Sequence, residues 1–113
     1  MKIVKKGEAK LFKGSDTCLV FEYKLGYKDI DGVVVKLSGR YPDKGAAVNE
    51  ICRELGYVIE GRGLVVINGN DFLLSEGDVV CIDPGEKFYW DGNMTLFLPC
   101  TPAWYPEQHK FIE

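Results

Sequence analysis

The stretch that decides the fold is residues 64–74, which read Leu64-Val65-Val66-Ile67-Asn68-Gly69-Asn70-Asp71-Phe72-Leu73-Leu74. Two apolar runs of strand length flank the dipeptide Asn68-Gly69. Asn and Gly tolerate the positive φ angles that a tight hairpin turn requires. The stretch therefore predicts two antiparallel strands joined by an Asn-Gly turn.

Similar strand-length runs recur outside this hairpin, at residues 17–23, 32–37, 78–82 and 94–98, and turn-forming Gly, Pro, Asn and Asp separate them. A helix over residues 46–55 is the alternative for one segment, because its apolar residues lie near helical spacing. Residues 57–59 are β-branched or aromatic, however, so we predict a strand from about Glu50. Many short strands in so short a chain predict an all-β, antiparallel sandwich or barrel.

The length and net charge of the chain restrict the number of its domains and the classes of its binding partners. With 113 residues it is shorter than a typical domain of roughly 150, so we expect a single domain over residues 1–113. Its 14 Lys and Arg against 17 Asp and Glu give a net charge of −3, which excludes general electrostatic binding to nucleic acid or to an anionic membrane. No apolar run approaches the roughly 20 residues that span a bilayer. The polar N-terminus lacks the apolar stretch of a secretory signal, which favours the cytoplasm.

The cysteines give no sign of a zinc site or a redox dithiol. Cys18, Cys52, Cys81 and Cys100 form no Cys-x-x-Cys pair and have no histidines near them in the sequence. In a reducing compartment we expect them to act as small hydrophobic residues inside apolar strands.

Two segments, residues 39–63 and 77–93, resemble the two motifs of the cupin superfamily. The matching positions are Glu54 and Gly61 in the first motif and Gly77, Pro84, Gly85 and Phe88 in the second. Between the motifs lies one hairpin, and residues 101–113 look like the tail that often closes small cupins. The resemblance implies the cupin-type double-stranded β-helix, a jelly-roll barrel of antiparallel strands.

The resemblance also implies a metal inside the barrel, held by two histidines and a Glu or Gln from the first motif and by a histidine from the second. Here the first-motif histidine positions fall on Val48 and Glu50, or on Ala47 and Asn49, and the second-motif position falls on Phe88. Only Glu54 remains as a ligand type of the family. Because transition metals favour imidazole over a lone carboxylate, we predict no metal and no cofactor.

The candidate catalytic residues are Glu54 and Glu50. On an extended strand they share one face with Cys52, so two carboxyl groups would flank a thiol. Like charges this close raise the pKa of one carboxyl, which suits a general acid or base near neutral pH. The alternative is that Glu54 is tied to a hydrogen-bond partner and that Glu50 lies at the solvated mouth.

Aromatic side chains are the other candidate ligand-binding groups. Phe88 and Trp90 share parity on one strand, so both rings face the barrel interior if the family's histidine position does. With Tyr57, Cys52 and Asn49 they form the predicted ligand-binding set, suited to a small amphipathic or cationic molecule. The alternative is that the rings simply fill the barrel. His109, the only histidine, is expected on the surface or packed within the tail.

Three functions remain open at this stage. The first is metal-independent binding of a small molecule in the barrel. The second is a small cupin enzyme of the isomerase, epimerase, lyase or oxygenase type, with Glu54 and Glu50 as acid and base, or with these carboxylates and Asn49 as ligands of Mn or Mg. The third is a structural or interaction module with a closed barrel. We also expect a homodimer, formed through residues 1–12 as an N-terminal edge strand.

Overall fold

The computed structural model describes all residues, 1–113. It contains nine strands and no α-helix, with short 3₁₀ turns at Lys6–Glu8 and Pro106–Gln108. The strands are β1 (Lys10–Ser15), β2 (Cys18–Tyr23), β3 (Asp31–Ser38), β4 (Ala46–Asn49), β5 (Arg53–Ile67), β6 (Asn70–Ser75), β7 (Val79–Ile82), β8 (Lys87–Thr101) and β9 (His109–Ile112). All strand pairs are antiparallel, which confirms the predicted fold class.

The longest strands, β5 and β8, organise the sheet. β8 pairs with β5 from Arg53↔Thr101 to Ile67↔Phe88, and on its other edge it pairs with β3 and then with β4. Beyond β3 the sheet continues with β2 and then β1, and beyond β4 it continues with β9. Strands β6 and β7 both pair with β5. β8 therefore lies at the centre of the sheet, which curls into a jelly-roll barrel.

The hairpin predicted from residues 64–74 is present. β5 and β6 pair from Arg62↔Ser75 to Ile67↔Asn70, leaving Asn68 and Gly69 as the turn. Both turn residues have positive φ, 50° for Asn68 and 83° for Gly69. This is the mirror-image turn whose twist matches that of the flanking strands.

The core follows the period-two rule most clearly along β8, where every second residue from Phe88 to Cys100 is buried except Gly92. Its buried side chains are Phe88, Trp90, Met94, Leu96, Leu98 and Cys100, and most of them belong to a cluster of 13 buried residues inside the barrel. Alternate residues face outward because successive side chains of a strand point to opposite faces.

The structure has no helix of the length and apolarity that crossing a membrane requires.

Three local expectations need correction. The N-terminal edge strand begins only at Lys10, after a 3₁₀ turn, and not near the start of the chain. Instead of one strand from about Glu50, β4 ends at Asn49 and β5 begins at Arg53. Cys81 is exposed, whereas the other three cysteines are buried, and all four are free thiols.

Candidate functional site

The barrel is not filled by its own side chains. A cavity of about 310 Å³ lies inside it, lined by 19 residues of which 13 are hydrophobic. Ligand pockets in proteins typically begin at roughly 300 Å³. The predicted alternative of a barrel closed by its aromatic residues therefore does not describe this structure.

The register of β2, β3, β8 and β5 arranges the cavity from an apolar end to a polar end. At the apolar end, Cys18 pairs with Leu37, and both line the cavity. At the polar end, Asp31 and Glu54 both pair with Cys100. A ligand in this cavity meets hydrocarbon at one end and carboxyl groups at the other.

Glu54 lies near the start of β5 and lines the cavity. Burial, and secondarily the negative charge of Asp31, raises the pKa of Glu54 from 4.5 to about 7. No hydrogen bond contributes to that shift. At neutral pH the Glu54 carboxyl is therefore divided between its protonated and ionised forms, which is the condition for donating or accepting a proton.

Two further carboxyl groups line the same cavity. Burial raises the pKa of Asp31, the Trp104 backbone N–H opposes that rise by donating to its carboxylate, and the charge of Glu22 adds to it. Glu22 also has the Lys24 ammonium 3.7 Å away. The lining residues include these acids but no Lys or Arg, so hydrogen-bond acceptors dominate the polar end.

Aromatic rings form much of the remaining wall. Phe88 and Trp90 pack edge to face, with their centroids 6.2 Å apart, and both line the cavity. Phe88 lies opposite Ala47 in the β4–β8 pair, so the small side chain leaves room for the ring. Apolar walls of this kind favour a ligand with a planar or hydrocarbon part.

The C-terminal segment supplies a group that the sequence analysis missed. His109 begins β9, where it pairs with Asn49 of β4, and it lines the cavity instead of the outer surface. Trp104 and Phe111 pack against its ring at centroid distances of 5.5 and 5.0 Å. Burial lowers the pKa of His109, so the neutral form of the ring predominates at pH 7. No local sequence pattern identified His109, because its position at the cavity depends on the pairing of β9 with β4.

The structure does not bring Glu50, Cys52 and Glu54 to one face, because the chain leaves the sheet between β4 and β5. Glu50 is exposed and does not line the cavity. Cys52 is completely buried behind the wall, where its thiol donates to the Pro102 carbonyl oxygen at 3.3 Å. The expectation that these three residues form one catalytic face is wrong.

Two members of the predicted ligand-binding set also lie outside the cavity. Tyr57 is 44% exposed on the outer face of β5, where it pairs with Val79 and Phe97. Asn49 is buried and does not line the cavity. Its side chain contacts His109, which does line the cavity. Of the residues predicted for the site, Glu54, Phe88 and Trp90 line the cavity.

The donor set that a cupin metal requires is not assembled here. Ala47 and Phe88 are apolar, and the Asn49 side-chain oxygen is occupied by Gln108 and His109. Nowhere in the chain do three or more His, Cys, Asp or Glu residues converge as metal ligands would. The alternative Mn or Mg site also fails, because it needed Glu50 beside Glu54. These residues do not fit the family's metal.

Comparisons with known proteins agree with this architecture. The family profile described as "Cupin domain" matches residues 45–98. No curated protein sequence matches the chain significantly. Among solved structures, the nucleoside dehydratase Pac13 from Streptomyces superposes with a TM-score of 0.91 at 16% identity, covering 100% of this chain and 92% of that one.

Two further solved structures share the fold. Hydroxypropylphosphonic acid epoxidase from S. wedmorenis has a TM-score of 0.76 at 14% identity, covering 89% of this chain and 59% of its own. An RmlC-like cupin from Shewanella frigidimarina has a TM-score of 0.72 at 17% identity, covering 91% and 92% of the two chains. Identities this low establish a common fold and leave the chemistry to be argued from the site.

Proposed function

From the premise that this chain belongs to the cupin superfamily, we propose that it binds a small amphipathic molecule in the barrel cavity without a metal. The observation that carries the proposal is a cavity of about 310 Å³ whose lining combines aromatic and aliphatic side chains with three carboxyl groups. The ligand class that fits is a molecule with a ring or hydrocarbon part and with hydroxyl or amino groups as donors.

Nucleosides belong to this class, and three of the Pac13 structures from Streptomyces contain uridine. The planar base of a nucleoside suits the Phe88 and Trp90 wall, and its ribose hydroxyls suit carboxylate acceptors. Binding that depends on Glu54 is then expected, because its carboxyl has no protein partner that would compete with a ligand hydroxyl for it.

Thermal melting with uridine, other nucleosides, monosaccharides and aromatic amines tests the proposal. We expect at least one compound to raise the melting temperature of the wild type, and Glu54→Gln to reduce that shift. Glu60→Gln is the matched control, since Glu60 is an exposed glutamate of the same strand and lies outside the cavity. A ligand shift of equal size in wild type and Glu54→Gln would place the site elsewhere, and no shift with any compound would contradict the proposal.

A second candidate function is acid–base catalysis on the bound molecule. It is favoured by two groups in one cavity, the Glu54 carboxyl with a pKa of about 7 and the neutral His109 imidazole. In an elimination of water, His109 would take a carbon-bound proton while Glu54 protonates the departing hydroxyl. The carbon–oxygen bond breaks, a carbon–carbon double bond forms, and water leaves.

Mass spectrometry of each binding compound after incubation with the protein tests the catalytic candidate. The expected product is lighter than the compound by one water, and both Glu54→Gln and His109→Gln abolish its formation. For compounds with a proton next to a carbonyl, exchange in D₂O followed by NMR detects proton abstraction without elimination. Compounds that bind but neither lose water nor exchange protons would leave the protein as a binder.

A further inference from the structure

A buried chain of side-chain hydrogen bonds runs from the break between β4 and β5 to His109. It begins at Gln108, which is 2% exposed and ends the second 3₁₀ turn. The Gln108 backbone oxygen accepts from the Glu50 N–H, and its side-chain Oε1 accepts from the N–H groups of Ile51 and Cys52 at 3.2 and 3.1 Å. Gln108 thus satisfies three consecutive amides where the chain leaves the sheet.

These backbone donors fix the orientation of the Gln108 amide. A backbone N–H only donates, so the atom facing Ile51 and Cys52 is the oxygen and the amide nitrogen points the other way. That nitrogen, Nε2, donates to Oδ1 of Asn49 at 3.2 Å. The orientation of Asn49 follows in turn, because its oxygen has to face the Gln108 donor.

The same Asn49 oxygen lies 2.7 Å from Nδ1 of His109. An amide oxygen only accepts, so the proton of this short hydrogen bond belongs to His109 Nδ1. The neutral form of the imidazole predominates at pH 7, and a neutral ring carries one proton. Nε2 therefore holds a lone pair.

No group of the protein donates a hydrogen bond to the lone pair of His109 Nε2. The hydrogen bond of the His109 side chain goes to Asn49 through Nδ1, and the ring lines the cavity between Trp104 and Phe111. The titratable groups that face the same cavity are Glu22 and Cys18 from β2, Asp31 from β3, Glu54 from β5, Cys100 from β8, and Tyr41. None of them is a cation that would compete with a ligand for an acceptor nitrogen.

We infer that Asn49 and Gln108 are positioning residues that hold His109 in the tautomer protonated on Nδ1, so that the cavity receives Nε2 as a hydrogen-bond acceptor. The inference deepens the proposed function and rests on it for its use: a ligand has to present a hydroxyl or N–H donor to Nε2. The tautomer itself is set by the protein and does not depend on any ligand.

Nitrogen NMR of histidine-labelled protein tests the inference directly, because His109 is the only histidine in the chain. At about pH 7.5 we expect a protonated, pyrrole-type signal for Nδ1 and an unprotonated, pyridine-type signal for Nε2. Protonation of Nε2 in the wild type would overturn the inference, whatever the variants do. A failed ligand screen with the expected spectrum would count against the proposed function alone.

Two variants separate positioning from packing. Gln108→Glu keeps an oxygen for the Ile51 and Cys52 amides but replaces the donor that orients Asn49, so we expect the proton to move to Nε2. Asn49→Asp keeps an acceptor for both neighbours, so we expect the Nδ1 proton to remain. A Gln108→Glu spectrum identical to that of the wild type would contradict the role given to Gln108. If that variant does not fold, the wild-type spectrum and Asn49→Asp still decide the tautomer.

Discussion

Asp31 and Glu54 lie in one row of the sheet, on opposite sides of β8, and both pair with Cys100. In a twisted antiparallel sheet, directly paired residues project their side chains to the same face. Two acids from strands that are distant in sequence therefore face one cavity across a single thiol. Their shared burial raises the pKa of both carboxyl groups.

This row makes the stability of the protein depend on pH. Because the pKa of Glu54 rises from 4.5 to about 7, the folded state keeps a proton that the unfolded chain has already released. The stabilisation is complete at a pH below the pKa of Glu54 in the unfolded chain. It is lost as the pH rises through the pKa of Glu54 in the folded protein. Asp31 acts in the same direction, whereas the lowered pKa of His109 acts in the opposite one.

Glu54→Gln isolates the contribution of Glu54, since Gln stays neutral at every pH. From about pH 5 to about pH 8 we expect the free energy of unfolding of the variant to gain about 2 kcal/mol relative to wild type. Urea denaturation of both proteins at several pH values measures this difference, with Glu60→Gln as control. Parallel pH curves for wild type and Glu54→Gln would show that Glu54 has an ordinary pKa.

Metal content is a separate expectation. The positions where relatives carry imidazole hold Ala47 or Val48, Asn49 or Glu50, and Phe88, so we expect no stoichiometric iron, nickel, copper or zinc. Elemental analysis of untagged protein, purified without chelators, measures this. About one transition metal per chain would refute the expectation, as would a melting temperature that falls on treatment with EDTA.

Sequence rules predicted the features that depend on neighbouring residues. The positive φ angles of Asn68 and Gly69 define the hairpin, and the alternation along β8 places Phe88 and Trp90 on the inner face. Strand parity separates Tyr57 from Glu54, since they lie three positions apart. The predicted ligand-binding set nevertheless included Tyr57, and the structure puts it outside the cavity.

The features that the sequence did not predict depend on distant partners. The break after Asn49 is stabilised by Gln108, which lies 56 residues beyond Cys52 along the chain. His109 reaches the cavity because β9 pairs with β4, a register fixed only once the barrel has closed. No local pattern at residues 50–52 or at residue 109 contains this information.

One free edge of the sheet, at β1, supports the expectation of a homodimer. β1 pairs only with β2, and Leu11 on this strand is 58% exposed. Because an unpaired strand edge is a template for another strand, we expect light scattering to give twice the 12.7 kDa chain mass at micromolar concentration. Leu11→Lys should shift the equilibrium toward monomer, whereas Leu55→Lys, at a 41% exposed position of β5, which is paired along both edges, should not. A wild-type mass of one chain would contradict the dimer.

The two motif glycines, Gly61 and Gly77, provide a matched pair with opposite surroundings. Their φ angles are nearly equal, 85° and 87°. A Cβ on Gly77 would meet nothing within 4 Å, whereas a Cβ on Gly61 would collide with the Asn93 carbonyl oxygen and the Met94 Cα of β8. Backbone atoms of a central strand do not move aside as a flexible side chain does.

We therefore expect Gly77→Ala to lower the free energy of unfolding by about 1 kcal/mol, the cost of a left-handed backbone for an L residue. Gly61→Ala should lower it by roughly 2 kcal/mol more, because the β5–β8 pair has to separate locally to admit the methyl group. Urea denaturation of both variants against wild type measures the difference. Equal losses would mean that only the backbone angle matters at Gly61 and that β5 and β8 are not held in the close register that aligns Glu54 with Cys100.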